Sequence, residues 1–214
     1  MDLRALQYQK NSDILKKYLP EACVPVIAVW IVEYDFKLKI KKERSTKLGD
    51  YTSPYNGTNH TITINHNLNK FSFLITLVHE VAHLVTFNEF KNRVNPHGKE
   101  WKLNFQKLMQ PFLTTDIFPL EVFAALRMYL QNPAATSCTD VQLLRVLKLH
   151  DENSSVIFIE RLAYGTIFLY NGNKVFKKGE KIRKRFKCIE LKTEAVYLFN
   201  PLTEVELFDT VNAQ

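Results

Sequence analysis

Apolar and polar positions along the chain fall into two regimes, with a change near residue 150. Over residues 3–18 apolar side chains recur at helical spacing, which predicts a helix ending before Pro20. Residues 24–34 read two ways: their β-branched side chains suit a strand, whereas Pro25 suits a first helical turn. Residues 36–41 alternate strictly, predicting a half-buried strand with Lys37, Lys39 and Lys41 on its wet face. A turn at Leu48-Gly49-Asp50 leads into a second strand, and residues 60–65 form a third. Residues 73–85 are apolar almost all the way round a helix, the mark of a buried one. A turn-forming stretch from Asn92 to Pro96 ends it. A second helix then starts near Gly98, with Trp101, Leu103, Phe105, Leu108 and Met109 as predicted inward positions. Further helices are predicted over residues 118–131 and, capped by Thr139-Asp140, over residues 141–149. Beyond His150 strands dominate: residues 156–162, 164–170, 174–177, 182–191 and 195–199, with Asn171-Gly172 as a hairpin turn that needs positive φ.

The buried helix carries His79, Glu80 and His83. Each such group left without a partner costs about 1–3 kcal/mol. A metal ion satisfies them: residues four apart share a helix face, so two imidazoles reach one zinc ion. Glu80, beside the first ligand, can take a proton from a water held there, which is the HExxH reading. A catalytic zinc has three protein ligands and one open position. The candidate third ligand is His97, brought back by the turn at Asn92–Pro96; Glu100 and Glu121 are rivals. A metzincin pattern would need Gly and His where Thr86 and Glu89 stand, and it fails.

His79-Glu80-Val81-Ala82-His83 followed by His97-Gly98-Lys99-Glu100-Trp101 resembles the SprT-like (Spartan-type) metallopeptidase family, most specifically across residues 61–105. The resemblance implies an α+β zincin-like domain, a short β-meander plus the HExxH helix, over residues 1–150, with a helix at residues 24–34. It implies one Zn2+ per chain on His79, His83 and His97, with Glu80 as the catalytic base. The expected activity is peptide-bond hydrolysis in protein substrates, DNA-bound ones among them. By analogy with zinc peptidases, the strand at residues 61–65 is the expected edge for an extended substrate. In many relatives a zinc ribbon with two cysteine pairs follows. Here Cys138 and Cys188 stand alone, so residues 151–214 are expected to form a metal-free antiparallel β module.

That module carries a basic ribbon: Lys174, Lys177, Lys178, Lys181, Arg183, Lys184, Arg185 and Lys187, interleaved with Tyr170, Phe176, Phe186 and Tyr197. The ribbon can track a nucleic-acid backbone while rings stack on bases, or it is a solvated hairpin whose rings fill a small core. A net charge of +7 agrees with anionic partners without selecting one. Three scattered cysteines imply no disulfide framework and a reducing, cytoplasmic setting. No signal-peptide core and no apolar run of about 18 residues is apparent, so no membrane partner is expected. The rival function is a nucleic-acid-binding protein with a non-catalytic zinc site. Glu80 weighs against it, because a structural site has no use for a base beside its ligands.

Overall fold

The computed structural model describes residues 3–44, 46–134, 140–151, 157–172 and 174–208. Cys138 and Thr139 lie outside them. The chain divides into two compact units, residues 1–152 and 153–214.

The first unit is mixed α and β. Helices α1 (Leu3–Leu15) and α2 (Val24–Glu33) precede three strands, β1 (Phe36–Lys41), β2 (Gly49–Thr52) and β3 (His60–Asn65). Four helices follow: α3 (Lys70–Phe90), α4 (Lys99–Met109), α5 (Leu120–Leu130) and α6 (Val141–Lys148). The ambiguous stretch at residues 24–34 is a helix, with Pro25 in its first turn, where its missing N–H costs nothing. In β1, Phe36 is buried and the three lysines are exposed, as the alternation demands.

The three strands do not form a meander. Their order is β1-β3-β2, with β1 parallel and β2 antiparallel to β3. β3 takes the centre because Ile62 and Ile64 are fully buried and need cover on both sides. The chain between β1 and β2 must therefore pass to the far side of β3. Asn65 pins that passage: its Nδ2 donates to the carbonyls of Arg44 (3.2 Å) and Lys47 (2.9 Å), and Arg44 Nε donates to its Oδ1 (2.8 Å). Residues 61–65 are thus a central strand whose edges are taken, and β2 is the open edge nearest α3.

α3 runs through the core, buried from Phe73 to Ala82. Asn69 caps it, its Oδ1 accepting from the amides of Phe71 (3.1 Å) and Ser72 (2.9 Å). The same side chain donates to the Leu147 carbonyl (2.9 Å) and to Asp151 Oδ1 (2.6 Å), tying α6 to the start of α3. By length and composition α3 could cross a membrane, contrary to the expectation that no segment could. However, 67% of its most apolar window is buried inside the protein, so its apolarity serves the core. On α4, Trp101, Phe105 and Met109 are fully buried, and Leu108 packs partly against the core. Leu103 was predicted inward but is 46% exposed. Two residues from Trp101 and from Phe105, it is turned well away from the face they bury.

The second unit is a six-stranded sheet in the order β4-β9-β5-β6-β7-β8, its neighbours antiparallel. The strands are β4 (Ile157–Phe158), β5 (Ile167–Tyr170), β6 (Lys174–Ile182), β7 (Arg185–Glu190), β8 (Val196–Phe199) and β9 (Glu204–Leu207). Asn171 and Gly172 have φ of 53° and 72°, as their hairpin requires. The strand predicted at residues 156–162 shrinks to β4 and a 3-10 turn, because Ile159 and Leu162, three apart, both turn into the core. β6 continues through an irregularity between Lys178 and Lys181 to Ile182, so the turn falls at Arg183 (φ 54°) and β7 begins at Arg185. β9 was not foreseen; its four residues show one alternation, too short to stand out beside the longer strands.

Candidate metal centre

α3 sets His79 and His83 one turn apart on one face, with Glu80 on the adjoining face. His97 arrives from the turn ahead of α4, on a left-handed backbone (φ 59°) that non-glycine residues seldom adopt. Gly98 then caps α4, its amide bonded to the Asn95 carbonyl at 2.9 Å. The three Nε2 atoms converge: His97 Nε2 lies 2.8 Å from His83 Nε2 and 3.2 Å from His79 Nε2. Trp101, fully buried, packs beneath them. Its ring centre is 4.6 Å from those of His79 and His97 and 5.3 Å from that of His83, and its Nε1 donates to the His79 carbonyl at 3.4 Å.

Burial pushes the His79 imidazole down to about 3 and His83 down to about 4, with the neighbouring histidines adding to both shifts. Burial lowers His97 as well. All three rings are therefore neutral near pH 7, each with one N–H and one lone pair. His97 Nε2 faces two other ring nitrogens and can donate to only one of them, so the cluster cannot satisfy itself by hydrogen bonds. His79 Nδ1 is also buried without a partner. Three convergent neutral imidazoles that cannot pair among themselves fit one cation; their ligand atoms lie within 4.8 Å of one another.

Glu80 is buried beside this cluster, against the start of β2. Burial pushes its carboxyl up to about 8, and Asp50 raises it further. Lys47, Arg44 and the Tyr51 amide, which donates to it, pull the other way. Tyr51 lies nearly parallel to His83 with ring centres 6.4 Å apart, and its hydroxyl pairs with His60 Nδ1 at 2.9 Å. Neither Tyr51 nor His60 carries a sequence motif, and only strand pairing brings them here. Of the rival ligands, Glu121 is exposed and pairs with His150 at 3.2 Å, and Glu100 stands outside the cluster.

The basic ribbon separates into two groups. Lys177, Lys181, Arg183, Lys184 and Arg185 are exposed and Lys187 is half-buried. Lys178 is 5% exposed; its Nζ donates to the Leu162 carbonyl at 2.5 Å and lies 4.1 Å from the centre of the Phe186 ring. It is a core lysine, spent on backbone carbonyls, and is unavailable to phosphate. Phe176 is buried, Tyr170 and Phe186 pack against the same core, and only Tyr197 among the interleaved rings is exposed. Stacking on bases is thereby withdrawn from most of them. Cys23 and Cys188 are buried and unpaired.

The fold and site define a mixed α+β domain with a three-histidine cluster of HExxH type. Residues 31–122 match the SprT-like family model, a span from the end of α2 into α5 that contains all three histidines and Glu80. Over this segment the chain is similar to the SprT-like family. No curated protein and no solved structure matches the chain.

Proposed function

We propose that this protein is a zinc-dependent metallopeptidase of zincin-like type, acting on protein substrates. The observation that carries the reading is the convergence of three neutral, self-unsatisfied imidazoles beside a buried glutamate, in a segment of SprT-like family character. His79, His83 and His97 would hold the ion. Zinc, when bound, supplies a Lewis acid that acidifies water and polarises a carbonyl.

The remaining work falls to this chain's own residues. Glu80 accepts the proton of the attacking water and returns it to the leaving amine. Its burial favours that exchange, because a carboxylate whose proton affinity is raised from the usual range takes up a proton more readily than an exposed one. Trp101 holds the three rings by packing and excludes water from beneath them. β2 has an open side to which an extended main chain can add by backbone hydrogen bonds, a role the order of strands denies to β3.

Glu80→Gln tests the reading. The variant keeps shape and zinc, and turnover of an unfolded protein or self-cleavage falls about 10²–10⁴-fold. Unchanged turnover in a zinc-loaded, folded variant refutes it.

A further inference from the structure

β2 begins at Gly49, paired with Ile64 of β3. Its φ lies outside the left-handed region, so the backbone there is one that any residue adopts. The glycine is needed for space. A Cβ at this position would stand 2.7 Å from Glu80 Oε1, 2.7 Å from Thr76 Cγ2 and 3.0 Å from Glu80 Cγ. Thr76 and Glu80 lie one turn apart on α3, and both are buried. The start of β2 thus rests its bare backbone on the Thr76–Glu80 stripe. Two residues on, the Tyr51 amide donates to the Glu80 carboxyl. Contact at Gly49 and the hydrogen bond from Tyr51 hold the same side chain, from the same strand.

We propose that Gly49 is a positioning residue for Glu80: the missing side chain lets β2 close on α3 so that the Tyr51 amide fixes where the carboxyl sits. This rests on the reading of Glu80 as proton acceptor. Any side chain at position 49 displaces the carboxyl or lifts β2 and breaks the Tyr51 bond. Misplacing a reacting group by about 1 Å can cost on the order of 10²-fold in rate. The ion's ligands are untouched, so metal binding should survive.

Four proteins decide it: the parent, Gly49→Ala, Gly49→Ala with Thr76→Ser, and Glu80→Gln. Thr76→Ser removes the competing methyl and leaves only the clash with Glu80. The readouts are zinc content, the Tyr51 amide resonance in metal-free protein, and kcat and KM on casein. Both Gly49 variants are expected to hold one zinc, show a displaced Tyr51 resonance and lose about 10–10²-fold in kcat. An undisplaced Tyr51 resonance overturns the proposal, as does full recovery of resonance and kcat on adding Thr76→Ser, because methyl packing alone would then require glycine. Parent-like kcat in Glu80→Gln with Tyr51 displaced in the Gly49 variants overturns the proton-acceptor reading and leaves the hold of Gly49 on Glu80 standing. Where Gly49→Ala does not fold, recovery by Glu80→Ala and not by Thr76→Ser supports the proposal, and any other pattern overturns it.

Discussion

His97 Nε2 lies 2.8 Å from His83 Nε2, although the two residues are 14 apart and on different elements. The contact closes a set that the HExxH helix leaves one ligand short. His97→Ala should therefore lower zinc affinity by more than the roughly 10–100-fold typical of losing a mere supporting group. Glu121→Ala should leave affinity alone, since Glu121 is bonded to His150. Competition with a chelator of known affinity reads both. Loss of metal in Glu121→Ala with retention in His97→Ala would reverse the assignment. Zinc should total one per chain.

Metal-free protein should be most stable near pH 6.5. Glu80 is raised from 4.5 to about 8, so its contribution is full below pH 4.5 and lost as pH rises through 8. His79 and His83 are lowered from 6.5, so theirs is full above pH 6.5 and lost as pH falls through about 4 and 3. Between 4.5 and 6.5 two histidines outweigh one carboxyl and stability climbs with pH; above 6.5 the carboxyl alone acts and stability declines. Each uncompensated proton is worth at most about 1.4 kcal/mol per pH unit. Urea unfolding in EDTA at pH 5, 6.5 and 8 measures this. Glu80→Gln should flatten the alkaline side, and a decline that persists in that variant would assign it to another group.

Trp101 supports all three imidazoles from below. Trp101→Ala should destabilise the protein by about 3–5 kcal/mol, as for other fully buried aromatic residues, and weaken zinc binding with it. Trp101→Phe keeps much of the packing but removes one long hydrogen bond to the His79 carbonyl, which still accepts within α3, costing about 0.5–1.5 kcal/mol. Denaturant midpoints with and without zinc separate the two; equal losses in both variants would mean the ring's packing is unimportant.

The exposed cations of the β6–β7 hairpin are where the expectation of a nucleic-acid partner can be tested. Replacing Arg183, Lys184 and Arg185 by Ser should lower the log–log salt slope of single-stranded DNA binding by about two units, at roughly 0.7 per phosphate contact. Lys178→Met should leave that slope unchanged, because its amine is committed to the Leu162 carbonyl. Equal slopes for parent and triple variant would make the hairpin a solvated face.

What the amino-acid order determined by itself is what local geometry can carry. Helical spacing alone sets His79 and His83 on one face, strict alternation alone puts the lysines of β1 in water, and Asn171-Gly172 alone makes a hairpin, because each depends on residues within a few positions. Burial of α3 was legible too, since a helix apolar on all sides has nowhere else to go. Strand order was not: the alternation in residues 60–65 tells which side chains are buried and is silent on how many neighbours the strand has, so a central strand passed for an edge. Lys178 shows the same limit, for its sequence neighbours are cations and only the fold brings the Leu162 carbonyl to its amine. Gly49 marks the limit most sharply. Its neighbours suggest a turn glycine, yet it begins β2, and the atoms that exclude a Cβ belong to Thr76 and Glu80, on a helix that reaches it only through tertiary packing.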